Sequence, residues 1–358
     1  MTKLPISVCI IAKNEEKHIG QCLRHLLPYG MEIVVVDTGS TDETAAIARK
    51  YTDKVYDFEW INDFSAARNF AVSQASNNWI LVIDCDEYVK ELDAPKLRQC
   101  MQQNARNAGV LQIMNVYTQS DGTRTYRTDE VPRFYNKNFY EYRYRIHEQI
   151  TPKNATDPDS VTLYTFHLPI VVEHYGYDIP REEMLKKQER NLKLLTDSLG
   201  EGHMDDYLYF QIGQSHYVLG NYEKAIEAYD LCLELNTNDN KNFLPIALSS
   251  YAEALFNLGR NEDACRLLTM NEDYLGTARL RFQHGKACQL CGDDLGALAS
   301  FIQATLMPDF DSLGDDAYST YARILSMCRT TGNEDKIELY KRRLLDYAAA
   351  HGKQIVFE

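Results

Sequence analysis

Three carboxylates stand within four residues at Asp84, Asp86 and Glu87, directly after the apolar run Trp79-Ile80-Leu81-Val82-Ile83. Five apolar residues in a row ask for burial on both faces, as in a central parallel strand. The carboxyl edge of such a strand is where open α/β sheets bind ligands. If the strand continues through the acids, Asp84 and Asp86 point the same way, and both reach one cation or one ligand. Unit charges ~4 Å apart repel by roughly 4 kcal/mol at an effective dielectric near 20, so acids facing a phosphate-bearing ligand need a divalent cation between them. The plainer alternative is a strand end capped by solvated acids.

The preceding chain supplies elements that could position this cluster. Ser7 to Ala12 is a short β-branched run, followed by Lys13-Asn14-Glu15-Glu16 and then by helical spacing at Ile19, Cys22, Leu23, Leu26 and Leu27. Asn14 is either the N-cap of that helix or part of a loop offering free N–H groups to a ligand. Ile33 to Val36 repeats the pattern and ends in Asp37-Thr38-Gly39-Ser40-Thr41-Asp42-Glu43, where Ser40 and Glu43 have the spacing of a capping box. Asp37 lies before that cap, where an acid can accept hydrogen bonds from a nucleoside. No GxGxxG follows either strand, which disfavours a dinucleotide site. A third strand near Lys54 to Glu59 leads into a helix carrying Ala66-Ala67-Arg68-Asn69. Four βα units then assemble one ligand edge from Asn14, Asp37, Arg68 and Asp84 to Glu87.

The ordered segments SVCIIAKNEE, EIVVVDTGSTDET, DFSAARN and WILVIDCDE resemble the GT-A fold of family 2 glycosyltransferases, which use nucleotide-activated sugars. The resemblance is strongest to a subgroup that includes peptide S-glycosyltransferases of glycosylated bacteriocins and some lipopolysaccharide-core glucosyltransferases. It covers roughly the first half of the chain. It implies donor binding by Ala12, Asn14, Glu15, Asp37, Arg68, Asp84, Cys85 and Asp86. In that scheme the 12–15 loop and Asp37 hold the uracil-ribose end, Arg68 assists at the base, Asp84 meets the ribose and Asp86 the metal. An ion pair of Arg68 with Asp63 is the structural alternative.

Beyond a helix-like stretch from Ala94 to Ala105, Val110 to Tyr117 reads as a strand that Asp121-Gly122 turns back into Arg124 to Tyr135. If Tyr142 to Ile150 is one strand, Arg143, Arg145 and His147 share a face, and Tyr144, Ile146 and Glu148 share the other. The resemblance makes His147-Glu148 the counterpart of the family's acidic base motif and Glu148 the general base, turned away from the arginines; His147 competes for the role. It also implies that His174, in Val171-Val172-Glu173-His174, binds the metal with Asp86. An imidazole among oxygen ligands shifts the expected cation from Mg2+ towards Mn2+.

From Arg181 onward the pattern is helical, opening with a charged stretch from Glu182 to Leu199. Gly220, Gly259, Gly292 and Gly332 are 39, 33 and 40 residues apart, bracketing the ~34-residue tetratricopeptide period. Gly213 recurs with Ala225 and Tyr229, Ala252 with Ala264 and Leu268, and Gly285 with Ala297 and Phe301, with small residues where the helices approach. Such an array presents a concave surface to a peptide or another subunit; alternatively it caps the first domain.

The net charge of −14 leaves no basic excess for a nucleic acid. Nine scattered cysteines suggest a reducing compartment. Cys288 and Cys291 form a CxxC without a second ligand pair and read as buried helix residues. No run approaches the ~18 apolar residues of a membrane span. These features predict a cytoplasmic protein, and the resemblance implies a bacterial one of α/β class. In that reading residues 1–178 are expected to form a GT-A domain, 179–200 a linker helix and 201–358 a TPR-like helical domain with a possible homodimer contact. The expected activity is inverting, Mn2+- or Mg2+-dependent transfer of a glucose- or N-acetylglucosamine-type hexose from a UDP-sugar to a peptide, protein or envelope glycan. A non-catalytic nucleotide-sugar-binding TPR protein is the alternative. A sugar nucleotidyltransferase is disfavoured because no GxGxR-type loop follows the first strand, and a processive synthase because QxxRW and membrane spans are missing.

Overall fold

A computed structural model describes residues 3–118, 124–146, 148–155, 162–176, 181–200, 205–236, 243–330, 332, 334–352 and 355. The chain divides into two compact units, Met1–Lys187 and Gln188–Glu358. The first is built on an eight-stranded mixed sheet and the second is helical.

In the first unit, β1 (Ile6–Ala12), β2 (Glu32–Asp37), β3 (Val55–Asp57) and β4 (Trp79–Val82) are parallel, in the order β3-β2-β1-β4. Helices α1 (Ile19–Leu26), α2 (Thr44–Ala48) and α3 (Phe64–Gln74) connect them. The β1 strand is buried along almost its whole length, as its apolar sequence, interrupted only at Ser7, requires. After β4 the sheet changes direction. It continues through β7 (Arg124–Asn136), β6 (Ala108–Thr118), β10 (Thr165–His174) and β5 (Glu87–Leu92), with α4 (Ala94–Gln103) between β5 and β6 in sequence. The β6 and β7 arms pair antiparallel as a hairpin; the Asp121-Gly122 turn lies outside the described residues. A separate pair, β8 (Tyr140–Arg143) and β9 (Gln149–Pro152), makes a second small sheet.

Three local expectations change. The apolar run ends as a strand at Val82, so Asp84 and Asp86 do not share one strand face; a turn intervenes, and Glu87 opens β5. The stretch from Tyr142 to Ile150 is two strands rather than one, because Tyr144 takes a left-handed backbone (φ 75°) and the chain folds back, pairing Arg143 with Gln149. The alternation argument that turned Glu148 from the arginines therefore fails. Ser40 and Glu43 form no capping box: α2 starts at Thr44, whose N–H is taken by Asp42. Ser40 instead accepts from the Asn14 N–H, and Asn14 lies well before α1 rather than capping it.

Helix α5 (Arg181–Gly200) spans the division between the units. The second unit then pairs α6 (Asp206–Val218) with α7 (Tyr222–Leu235), α8 (Leu244–Asn257) with α9 (Asn261–Met270), α10 (Ala278–Leu290) with α11 (Asp294–Ala304), and α12 (Asp315–Thr330) with α13 (Glu334–Ala350). Gly220, Gly259, Gly292 and Gly332 sit at the four intra-pair turns with φ of 77°, 70°, 82° and 67°, the left-handed region that glycine enters without strain. A Cβ on Gly213 would lie 2.5 Å from the Tyr229 ring, and one on Gly285 2.7 Å from Phe301. The glycine in these two helix pairs is therefore a steric necessity. Cys288 is buried in α10, but Cys291 closes that helix in an exposed position. Among the described residues no helix is long and apolar enough to cross a membrane.

Candidate functional site

The ends of β1 and β2 are laced together before any ligand is considered. Ala12 pairs with Asp37 across the strands, and the Ala12 carbonyl accepts from both the backbone N–H and the hydroxyl of Thr38. Asn14 adopts φ 56°, which asparagine tolerates better than most residues. In that conformation its N–H donates to Ser40 at 2.9 Å and its side-chain oxygen accepts from the Thr41 N–H at 2.8 Å. Glu15 N–H donates to Thr44 Oγ1 at 2.7 Å. Burial, and after it the Asp86 carboxylate, push Glu15 up to about 7.

Asp37 is 5% exposed. Its Oδ1 accepts from the N–H groups of Gly39 (2.8 Å) and Ser40 (2.7 Å), while Oδ2 is buried with no partner. A buried acceptor left unmet costs ~1–3 kcal/mol, so this edge retains a demand for a hydrogen-bond donor. Ala12 and Cys85 contribute differently: both side chains are in the core, with Cys85 directed at the Ile11 carbonyl (3.6 Å), so only their main chain can face a ligand.

Arg68, Asp84 and Glu148 form one partly buried network around the buried Arg68. Arg68 Nη2 reaches Asp84 Oδ1 at 3.0 Å, and its Nε reaches Glu148 Oε1 at 2.5 Å. Asp63 is not its partner, since that carboxylate caps α3 by accepting from Ala66 N–H and Ser65 Oγ. The second oxygen of Asp84 is held by Arg133 at 2.9 Å, and Arg133 also approaches Glu87 at 3.6 Å. Burial works against the charge on Asp84, but Arg133 and Arg68 outweigh it and hold the carboxyl below its ordinary range. Glu87, 2% exposed, is raised by burial, with the Arg133 charge opposing. Environment thus separates two neighbouring acids into one held ionised and one biased towards neutrality. His147 lies outside the described residues.

Sequence reasoning missed Arg133. At that point Phe134 pairs with Gly109 and Pro132 with Val110, so Arg133 is the extra residue of a β-bulge. Bulges re-aim side chains, and Pro132 inside the strand is the sequence signal for this one.

The second cluster lies across the sheet. His174 is the register partner of Glu87 on one side and Asn115 on the other. The Tyr175 N–H donates to the Asp86 carbonyl at 3.0 Å and extends that ladder, which brings Asp86 beside His174. Asp86 Oδ2 and His174 Nε2 are 3.5 Å apart. A Cβ on Gly176 would fall 2.4 Å from both atoms, so glycine keeps the space beside them open. Burial disfavours charge on His174, but its hydrogen bond to Asp86 and that acid's charge prevail and raise it above 6.5. A carboxylate and an imidazole nitrogen can meet in this way through an N–H on the ring or through a cation held between them. Among the described residues no third histidine, cysteine or acid joins this pair, so a divalent cation here would take its remaining oxygen ligands from a bound ligand or water.

Residues 7–162 match the Glycosyl transferase family 2 model. The first unit carries a family 2 glycosyltransferase domain. Residues 207–239 match the Tetratricopeptide repeat model, at α6 and α7. The chain is 30% identical to the prophage-derived glycosyltransferase SunS of Bacillus subtilis over 256 residues, which is 67% of this chain and 55% of SunS. It is 29% identical to a TPR repeat-containing protein of Synechococcus elongatus over 212 residues, 58% of this chain and 51% of that protein. It is 39% identical over 89 residues to the lipopolysaccharide core biosynthesis glycosyltransferase LpsC of Rhizobium meliloti, 24% of this chain and 33% of LpsC. The chain spans about half the length of the first two relatives and a third of LpsC. The family 2 match runs from β1 through β9 and stops short of β10, and the repeat match opens the helical unit.

Proposed function

We propose that this protein transfers a hexose of the glucose or N-acetylglucosamine type from a UDP-sugar to an acceptor, with inversion at the anomeric carbon. The observation that carries the reading is the unmet Asp37 Oδ2, a buried carboxylate oxygen at the carboxyl end of β2 awaiting a donor group. A nucleoside supplies such donors. Asp86 and His174 would hold a divalent cation, Mn2+ or Mg2+, which supplies charge neutralisation for the diphosphate when bound.

The chain's own groups divide the remaining work. The laced 12–16 and 37–44 loops present a preformed rim for the nucleoside. Arg68 and Arg133 hold Asp84 fixed beneath it. Glu148 is the base on the acceptor side, with Oε1 anchored on Arg68. The repeats would recruit a protein acceptor or a second copy of the chain, and the resemblance to LpsC supports an envelope glycan as the other acceptor class. Nine free thiols are consistent with a cytoplasmic setting.

Equilibrium binding of UDP and its glucose and N-acetylglucosamine conjugates, with and without Mn2+, tests the reading. Asp37→Ala should weaken UDP in both conditions, whereas Asp86→Ala should remove only the Mn2+-dependent gain. Equal UDP affinity in Asp37→Ala and wild type would remove the nucleoside assignment. Donor binding without hydrolysis or transfer would favour a non-catalytic binding protein.

A further inference from the structure

Asn115 is a fully polar side chain in the middle of β6, yet only 2% exposed. Its carbonyl oxygen lies 2.7 Å from His174 Nδ1, and its amide donates to Asp129 Oδ2 at 2.6 Å. Register explains the meeting. His174 on β10 is the direct partner of Asn115, while on β7 the direct partner is Arg127, making Asp129 the diagonal neighbour two residues along. Asp129 lies on the exposed part of β7 and anchors the chain from the solvent side.

The chemistry of this relay has one direction. A carboxylate accepts and does not donate, so Asp129 requires the amide NH2 of Asn115 to face it. The other end of the amide, its carbonyl oxygen, must then face the imidazole. That oxygen can only be satisfied by an N–H on Nδ1. With Nδ1 carrying the proton, a neutral His174 presents the lone pair of Nε2 towards Asp86, 3.5 Å away. The opposite tautomer would put an N–H there and leave the Asn115 carbonyl facing a lone pair.

We propose that Asn115 and Asp129 are positioning residues that set the His174 tautomer and ring orientation for a divalent cation shared with Asp86. The inference rests on the cation reading given above. Groups behind a ligating histidine commonly change metal affinity by about 10–100-fold when removed.

Mn2+ binding to the full-length protein, followed by the electron paramagnetic resonance of the free ion with and without saturating UDP, is the direct test. Asn115→Leu should weaken Mn2+ by about 10–100-fold while UDP binding without metal is unchanged. Because a Leu at this buried polar position also perturbs folding, the deciding variant is the exchanged pair Asn115→Asp/Asp129→Asn, which keeps the net charge. In it the new amide at 129 can donate to the new carboxylate at 115, which still accepts from Nδ1. Recovery of Mn2+ affinity in this pair relative to Asn115→Leu supports the assignment, since a purely structural role gives no reason for metal binding to return. Wild-type Mn2+ affinity in a folded Asn115→Leu, or affinity as weak in the exchanged pair, overturns it. Failure of the wild type to bind Mn2+ at all overturns the cation reading and this inference with it.

Discussion

The two units bury polar groups for different reasons. In the sheet unit the buried set includes Asp37 and Glu87, acids at strand ends, and Arg68 on α3. In the helical unit it is mostly hydroxyls and an amide, Ser198, Ser215, Gln283, Ser300 and Thr320, with Asp206 at the start of α6. Taking a charge out of water costs several kcal/mol after relaxation. Packing alone gives no reason to bear that cost. The sheet edge bears it repeatedly, which marks it as a place where charge has work to do. The helical unit is governed instead by shape, through the Gly213–Tyr229 and Gly285–Phe301 contacts.

The sharpest way to break this contrast is to neutralise a charge at the edge without changing its size. Glu148→Gln should retain donor affinity while kcat falls by about 10²–10⁴, the usual loss for a general base. Turnover near wild type would leave Glu148 as only the structural partner of Arg68. Next in size, Arg133→Met strips Asp84 of one partner and leaves it facing Glu87. Removing one member of a buried pair costs about 3–5 kcal/mol, measurable by urea denaturation. The matching change in the helical unit, Arg279→Met, breaks a half-exposed pair with Asp316 and should stay within about 1 kcal/mol. Equal losses from the two substitutions would erase the distinction between the units.

The same contrast explains what could be read from the sequence. The strand-loop-helix order of the first 90 residues was legible because apolar runs and polar loops alternate there, and the Gly-turn spacing of the repeats was legible because each turn needs a left-handed residue. Asp37 stood out as an acid closing a buried run. What escaped depends on geometry that no period encodes. Arg133 is aimed inward by a bulge, Glu148 is brought to Arg68 by the left-handed Tyr144 and a hairpin, and Asn115 meets His174 through a parallel register between strands distant in sequence. The capping-box spacing at Ser40 and Glu43 misled because the hydroxyl was taken by a long-range partner, the Asn14 N–H.

Shape dependence in the helical unit has its own test. In Gly213→Ala the new methyl meets a fully buried aromatic ring. Overpacking costs about 1–3 kcal/mol, of which better helix propensity returns up to about 1. A net loss of about 1–2 kcal/mol in urea denaturation is expected. Trimming the ring in Gly213→Ala/Tyr229→Leu should recover part of the Gly213→Ala loss relative to Tyr229→Leu alone. Gly276→Ala, whose Cβ would meet nothing within 4 Å, should be nearly silent. No loss in Gly213→Ala would mean that this glycine is not a packing requirement.

The smallest expected effect separates the two ends of the same sheet. Glu32 opens β2, at the opposite end from Asp37, and binds Lys54 at 2.6 Å and the Ser76 N–H at 2.7 Å, with the Ser7 hydroxyl as a third donor. Burial opposes its ionisation, but these hydrogen bonds prevail and bring it from 4.5 down to about 2. A carboxyl depressed in the folded state stabilises the protein fully above its unfolded value, and that contribution is lost as the pH falls through the folded one. Lys54 is a third exposed, so solvent screens the pair. Glu32→Gln should therefore cost only about 1 kcal/mol at pH 7. The gap to wild type should close between about pH 4.5 and 2, with UDP affinity unchanged throughout. A gap that persists at pH 2, or a loss of UDP binding, would mean that this end of the sheet is not the purely structural counterpart of the ligand edge.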